Sequence, residues 1–408
     1  MTLYATSTGT LVLALGAQFI AFVVLARHLG TTQFGYMVTI SAATELACAL
    51  CGVGAGEALI RRVVRDPSLY PAVLGHNLIL MLSSGVVLTL VTTVGLAYFV
   101  PVDPDPVANA GVMFLFALGG IPLSRWIGVT EQIFLGHRQF GRANALNAGF
   151  AVWRSVVTLF ACFVFNVDHI HTWVFWYVGM YAVGVIACWA AVRRYGAPRW
   201  TILREELKLG FHFSTPFFFN MLRQNVDLLS LNLVAAPATI GKYSAASRIV
   251  LTSMVTVHSF NRLLYPKLAV AGKDGVRATL GLAIKYVILA VGLAVVTSAA
   301  VFVIAPFMPW LFGRDFGDMV TYMRVLCWVP ILISFTNAAY DSLGAADRHG
   351  VRAMVYNIGC VAASALIFVS TYFFGIDGTF VAVYVSHGLI AIAMWITVFR
   401  LGRDPADV

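Results

Sequence analysis

Long apolar stretches that recur along almost the whole chain constrain its fold more than any other feature. We place twelve of them, at approximately 6–26, 36–60, 72–99, 107–133, 143–166, 172–192, 209–234, 242–265, 278–305, 319–341, 352–374 and 379–399. A helix of about 20 apolar residues is long enough to cross a bilayer. Charged clusters separate the stretches, and no connection is long enough for a soluble domain. The sequence therefore predicts an all-α membrane protein with twelve transmembrane helices.

Composition excludes the soluble alternatives. Of the 408 residues, 60% are hydrophobic and 11% are charged, whereas soluble proteins carry about 25% charged residues. A transmembrane β-barrel is disfavoured too, because it would show alternating segments of about 10 residues. The first stretch has no basic region before it, so we interpret it as a membrane span and not as a cleavable signal peptide.

The distribution of basic residues predicts the orientation. One alternate set of loops carries 17 Lys and Arg residues, and the other set carries 3. By the positive-inside rule the rich set is cytoplasmic. The sequence therefore predicts a cell-membrane protein with both termini in the cytoplasm. This topology accounts for the net charge of +9 without nucleic acid as a partner.

Catalytic and cofactor motifs were not found in the sequence. It contains no GxxxxGK[ST] loop for ATP, no HExxH and no GxSxG. All six cysteines lie in apolar stretches, which favours buried thiols over a redox or metal site. We therefore expect no enzymatic activity, no cofactor and no metal. Energy for any transport would come from an ion gradient or from the substrate gradient.

The two halves of the chain repeat each other. Four patterns of the first half recur in the second: Trp189 and Arg194 in Trp395 and Arg400, Arg142 and Asn147 in Arg352 and Asn357, Pro122 in Pro330, and Phe34-Gly35 in Ile240-Gly241, at offsets of 206, 210, 208 and 206. A duplicated six-helix unit enters the membrane twice in the same sense. We therefore expect a symmetry axis along the membrane normal and a binding site between the halves, as in transporters.

The longest cytoplasmic connection divides these halves. We expect an N-terminal lobe over 1–192, an amphipathic linker over 193–208 and a C-terminal lobe over 209–408. Within the linker, the residues after Pro198 predict a short helix on the membrane surface, with Trp200, Leu203 and Leu207 on one face.

Ionisable side chains inside the spans are the candidates for function, because each costs at least about 2.5–3.5 kcal/mol at the helix centre. They are Glu45, Glu57, Arg125, Glu131, Arg154, Arg223, Asp227, Arg248, Arg262, Lys285, Arg324, Asp341 and His387. At 1.5 Å per residue, Arg223, Asp227, Arg248 and Glu45 lie at overlapping depths, with Gln18 and Asn225. Spans 1, 2, 7 and 8 can thus line one cavity that binds substrate.

Other interpretations of these residues stay open. Arg223 with Asp227 and Glu45 with Arg248 can be structural ion pairs, and His387 is typical of a buried core histidine. Arg61 and Arg262, at the cytoplasmic mouth, either determine topology or contact an anionic head group, since the arginine fork matches phosphate. Pro122, Pro216 and Pro330 are expected to interrupt their helices, as static kinks or as hinges.

Two segments resemble the Wzx-type polysaccharide flippases of the multidrug/oligosaccharidyl-lipid/polysaccharide (MOP) exporter superfamily. The first is Ala26-Arg27-x-Leu29-Gly30-x-x-x-Phe34-Gly35, which is similar to the family's ARxLGxxxFG signature. The second half is similar through Leu207-x-x-Gly210, Pro216, a lone Asp227, the run Gly241-x-Tyr243-x-Ala245-Ala246-x-Arg248, and Tyr265-Pro266-Lys267-Leu268. The resemblance implies a MATE-like fold of two six-helix lobes.

The resemblance also implies a function and partners. A protein of this kind would flip an anionic, undecaprenyl-pyrophosphate-linked oligosaccharide to the outer leaflet by alternating access, among membrane lipids and beside a polymerase and glycosyltransferases. Whether H⁺ or Na⁺ drives it stays open. Two other functions also stay open: a cation-coupled drug exporter of the same superfamily, and a membrane glycosyltransferase or ligase of the polysaccharide pathway. The excess of intramembrane arginines over acids favours the anionic substrate.

Overall fold

The computed structural model consists almost wholly of helices. It describes the backbone of residues 2–403, and the side chains of that range apart from those of residues 2–15, 212–213 and 262–263. The α-helices are α1 (Thr2–Leu50), α2 (Ala55–Arg65), α3 (Tyr70–Phe99), α4 (Pro106–Leu118), α5 (Ser124–Gly136), α6 (Phe140–Phe165), α7 (Ile170–Val192), α8 (Arg204–Val234), α9 (Pro237–Ser253), α10 (Val255–Ala271), α11 (Val276–Ile304), α12 (Met308–Phe312), α13 (Met319–Leu326), α14 (Val329–Ala345) and α15 (His349–Leu401).

Helical segments occupy all twelve positions that the sequence predicts for spans. Helix α15 contains two predicted spans, and α1 contains the first span and most of the second. The two spans are separated by one glycine in each helix, Gly30 (φ 68°) in α1 and Gly375 (φ 60°) in α15, whose backbone angles lie outside the helical region. Such positive φ angles favour glycine. The predicted second span is itself interrupted at 51–54, between α1 and α2.

Length and hydropathy mark most of these helices as membrane-spanning. Seven described helices are long and apolar enough to cross a membrane, or eight if Gly16–Leu50 and Ala55–Arg65 count as one bent span. Predicted spans 7 and 8 are outside this set. Span 8 is split into α9 and α10, of 17 residues each, and α8 carries Arg223 and Asp227 among other polar residues. The predicted all-α membrane class is confirmed.

The chain forms two compact units, Met1–Met221 and Leu222–Val408. In the first unit, Tyr70, Ile121, Val129 and Ile133 belong to the main buried apolar cluster. In the second, Val276, Leu343, Met394 and Val398 form another. The boundary between the units falls inside α8, whose first turns pack with the first unit. The predicted division at 193–208 stays a prediction.

The predicted surface helix after Pro198 is wrong over residues 198–203, which have no helical structure. This segment instead lies along the start of α3. The backbone N–H of Arg199 donates to the Pro71 carbonyl at 2.7 Å, and that of Leu203 contacts Nδ1 of His76 at 3.2 Å. The Arg199 carbonyl packs directly against Gly75, where a Cβ atom would collide with it. Docking thus satisfies backbone groups that a helix would otherwise have paired.

Two glycines bring α8 against the break between α1 and α2. Gly54 has a φ of 71°, and a Cβ atom there would collide with the Gly210 carbonyl. A Cβ atom on Gly210 would lie 2.5 Å from the Val53 carbonyl oxygen. No side chain fits on either residue without displacing backbone. The Gly210 of the resemblance motif is therefore a site of close backbone approach within the first unit.

The three prolines affect their helices differently. Pro122 lies in a π-helical segment, Gly119–Leu123, that joins α4 to α5, and such bulges widen a helix locally. Pro330 lies in the first turn of α14, just after a two-residue break. Helix α8 continues through Pro216, and the kink expected there stays a prediction. The hinge roles stay predictions.

Candidate functional site

The strongest candidate site lies in the second unit around Arg223 of α8. Nη1 of Arg223 lies 3.3 Å from Nε2 of His387, on the second part of α15. Tyr356 and Cys360, on the first part of α15, flank the same guanidinium. Three helical segments therefore place a cation among polar groups inside the apolar unit.

The chemistry of the Arg223–His387 contact fixes its direction. A guanidinium can only donate hydrogen bonds. Nε2 of His387 must therefore accept, which makes the imidazole neutral with its proton on Nδ1. A neutral partner leaves the positive charge of Arg223 uncompensated by this contact. Nε of Arg223 is buried and has no hydrogen-bond partner among the described residues. The site can thus offer both charge and a spare donor to an anion.

Asp227 lies one turn further along α8 and belongs to a separate polar cluster. Its Oδ2 accepts a hydrogen bond from the Tyr243 hydroxyl of α9 at 2.6 Å, and its Oδ1 accepts one from the Leu228 N–H at 2.8 Å. Neighbouring Asn225 is buried. Among the described side chains, no ion pair joins Arg223 to Asp227: Arg223 contacts His387, and Asp227 contacts Tyr243. The two residues nevertheless share one face of α8.

The other predicted cavity residues are distributed over both units. Glu45 is exposed on the second part of α1, near Cys48 and Tyr177 of the first unit. Gln18 is half-buried on the first part of α1, and Arg248 is exposed on α9 of the second unit. Their convergence with Arg223 on one cavity, and the alternative pairing of Glu45 with Arg248, stay predictions. The side chain of Arg262 lies outside the described residues.

Arg61 has a partner that the sequence interpretation missed. It forms an ion pair with Glu206 of α8, whose side chain is 1% exposed. Arg62 donates from Nε to the other carboxylate oxygen of Glu206 at 2.7 Å and reaches Glu205 at 3.5 Å. Two arginines of α2 therefore hold one buried carboxylate. Arg61 is engaged in an ion pair within the first unit, and the proposed contact with a head group would have to compete with Glu206.

Asp66 and His137, at the ends of spans, have shifted pKa values. Hydrogen bonds from the Ser68 hydroxyl and N–H hold the pKa of Asp66 below its ordinary value. Burial lowers the pKa of His137, whose ring stacks on Tyr195 at a centroid distance of 4.3 Å. Asp66 is thus ionised and His137 neutral at pH 7. Asp66 caps the turn at Pro67–Leu69, and neither group belongs to the Arg223 cluster.

Comparison with known proteins decides the family. Residues 4–270 match the model of a family described as polysaccharide biosynthesis protein. The chain belongs to this family. No curated protein matches the sequence.

Solved structures with the same fold are transporters of the MOP superfamily. The chain superposes on an inward-facing multidrug resistance MATE family transporter with a TM-score of 0.79, at 16% identity, over 95% of this chain and 96% of the other. A MOP superfamily transporter from Pyrococcus furiosus, described as having a binding pocket of reverse polarity, gives 0.66 at 16% identity, over 96% and 93%. An outward-facing multidrug resistance MATE transporter gives 0.64 at 17% identity, over 96% and 94%. The predicted resemblance and the predicted MATE-like fold are confirmed: this member of the polysaccharide biosynthesis family has the fold of these transporters, with several helices apolar enough to cross a membrane.

Proposed function

We propose that this protein flips a polyprenyl-pyrophosphate-linked oligosaccharide from the inner to the outer leaflet, for the synthesis of a cell-surface polysaccharide or lipopolysaccharide. The match of residues 4–270 to the polysaccharide biosynthesis family carries the proposal. Sugars assembled on a lipid in the cytoplasm must cross the membrane before they reach the surface. A transporter fold within that family supplies this step, through alternating access of two lobes, 1–192 and 209–408.

The Arg223 cluster supports an anionic substrate. A guanidinium matches the geometry of phosphate oxygens with two parallel N–H donors. His387 is neutral, so the charge of Arg223 remains available to a pyrophosphate. Arg248, exposed on α9 of the same unit, is a second arginine that we expect to contact the substrate. We assign substrate contact to these two arginines, with Asp227, Glu45, Gln18, Arg262 and Arg61 as further candidates.

Asp227 supports a second candidate, the cation-coupled drug exporter. A carboxylate bonded to Tyr243 inside an apolar unit is a group that can exchange a proton or bind a cation. In the flippase the same residue would couple transport to H⁺ or Na⁺. The flippase and the drug exporter therefore differ in their substrate, and Asp227 is the candidate for coupling transport to an ion gradient in both.

Deletion of the gene tests the proposal in cells. We expect lipid-linked glycan to accumulate on the inner leaflet, because assembly continues while transfer stops, and the wild-type gene should reverse it. Extraction of polyprenyl-linked sugars measures the lipid-linked glycan. Labelling of surface glycan, without protease treatment of the cells, measures the exported glycan. Unchanged glycan pools together with increased drug sensitivity would support the exporter and contradict the flippase. We propose the polymerase and the glycosyltransferases of the same pathway as partners of this protein.

Cysteine labelling tests the proposed orientation, with both termini in the cytoplasm of the cell or inner membrane. All six native cysteines are free thiols, and five are buried, so introduced cysteines will dominate the signal. We expect Asp377→Cys and Ala236→Cys to react with an impermeant maleimide in whole cells. Arg65→Cys and Arg199→Cys should react only after the cells are opened. All four side chains are exposed, so access to each reports its side of the membrane. The reverse pattern at any two positions would overturn the orientation.

A further inference from the structure

A largely apolar crevice lies in the first unit. It has a volume of about 610 Å³ and is lined by α3, the π-helical segment, α5, α7 and the start of the linker. Leu74, Met81 and Trp126 form its walls. Ile186 and Trp189, which are 66% and 57% exposed, form part of its rim. We call it the α3–α7 crevice.

The crevice has the length of one lipid leaflet. Its lining on α3 runs from Tyr70 to Leu82, which at a rise of 1.5 Å per residue is about 18 Å. Half of a hydrocarbon core of about 30 Å is about 15 Å. In the proposed orientation, Tyr70 and the end of α7 lie at the cytoplasmic surface. The crevice therefore extends from that surface to the bilayer centre.

The polar side chains that line the crevice can all donate hydrogen bonds. The Tyr70 hydroxyl and Nε1 of Trp126 are buried and have no hydrogen-bond partner among the described residues. Their side chains are 1% and 8% exposed. Arg193 lines the cytoplasmic end and is exposed, and none of the described lining residues is acidic. A buried donor without an acceptor is destabilising, so these two donors favour a ligand that brings acceptor oxygens.

We propose that the α3–α7 crevice binds one acyl chain of an anionic phospholipid from the cytoplasmic leaflet. The chain lies between α3 and α7, and its ester oxygens accept from Tyr70 or Trp126 after a small shift of the side chain. The phosphate lies at Arg193. Only a lipid combines a hydrocarbon tail of this length with acceptors near its head and a negative charge at the surface. This site is distinct from the proposed substrate site and does not depend on it.

Native mass spectrometry of the full chain tests the proposal. The protein is relipidated from vesicles containing equal amounts of phosphatidylglycerol and phosphatidylethanolamine, and the retained lipids are counted. The wild type should retain one phosphatidylglycerol. Arg193→Gln should lower the retained ratio of phosphatidylglycerol to phosphatidylethanolamine about fivefold, the contribution of one basic residue near an anionic surface. Arg65→Gln removes an equivalent exposed charge outside the crevice and should leave the ratio unchanged.

A second pair of variants keeps the test independent of charge. Ile186→Trp places bulk at the rim and should reduce retention of both lipids, whereas Val183→Trp, on an exposed position of α7 outside the lining, should not. Thermal unfolding in detergent checks that all four variants are folded. Equal retention by both members of each pair would overturn the proposal. The proposal would also be overturned if the wild type, offered polyprenyl phosphate and the phospholipids in equal amounts, preferentially retained the polyprenyl phosphate. The occupant of the crevice would then belong to the same lipid class as the proposed substrate.

Discussion

Replacing Arg223 with alanine is expected to reduce glycan export to a few per cent of the wild-type rate or less, while the protein remains folded and inserted. The guanidinium contacts His387 at 3.3 Å, and its Nε has no described partner. A hydrogen bond to a charged group contributes about 1.5–3 kcal/mol, so loss of one or two phosphate contacts accounts for the effect. Surface glycan, measured per molecule of membrane-inserted protein, reports the result.

The conservative variant separates charge from geometry. Arg223→Lys should restore little export if two parallel N–H donors are needed, and most of it if only a charge is needed. Arg324→Ala is the matched control, because it removes an exposed cation of the same unit that stacks on Phe302 at 5.0 Å. The control should export normally. Wild-type export by Arg223→Ala would show that this cation has no part in transport.

Asp227→Asn completes this series. The amide keeps a hydrogen-bond acceptor for the Tyr243 hydroxyl, so we expect the fold to survive. If the carboxylate couples transport to an ion, export by Asp227→Asn should lose its dependence on the H⁺ or Na⁺ gradient. If the carboxylate only orders Tyr243, the gradient dependence should equal that of the wild type.

Replacing Glu206 with glutamine is expected to destabilise the first unit by roughly 2–3 kcal/mol, because a buried carboxylate between two arginines is strongly coupled to both. Glu206 is 1% exposed, and Arg61 and Arg62 are 31% and 39% exposed in their side chains. Their partial exposure to water keeps the expected effect below that of a fully buried pair. The free energy of unfolding in detergent or the melting temperature of the purified protein measures it.

Glu205 provides the matched control for this prediction. It is the adjacent residue, also a carboxylate, but it is 87% exposed and lies 3.5 Å from Arg62. Exposed ion pairs contribute little, so Glu205→Gln should change the free energy of unfolding by less than about 0.5 kcal/mol. Equal losses in the two variants would mean that burial of Glu206 does not strengthen its pairing with the arginines.

The spans were predictable because the bilayer imposes a length and an apolar character on each of them. The linker was not, because residues 198–203 are ordered by hydrogen bonds to Pro71 and His76, and no local pattern encodes such docking. The role of Glu206 was missed for a related reason. In the sequence it resembles a solvated residue beside a basic run, and its burial depends on α2, 144 residues earlier.

The candidate site was predictable in part. The cost of an ionisable group in the membrane singled out Arg223, Asp227 and His387, which are all half-buried. Periodicity placed the first two on one face of α8. Their partners could not be read from spacing, because His387 and Tyr243 reach α8 only through the packing of α15 and α9. A lone histidine is typical of a core position, so its contact with Arg223 gave no signal in the sequence.

The pairing of Arg62 with Glu206 has a consequence for biogenesis. The arginines of α2 leave the ribosome 144 residues before their carboxylate, which at about 5–20 residues per second is a delay of roughly 7–30 s. During that interval four further spans, formed by α3, by α4 with α5, by α6 and by α7, enter the bilayer while the two arginines are without Glu206. Closure of the first unit must therefore wait for the start of α8. A nascent chain stalled after α7 should retain arginines that anionic lipids or an insertion factor can engage.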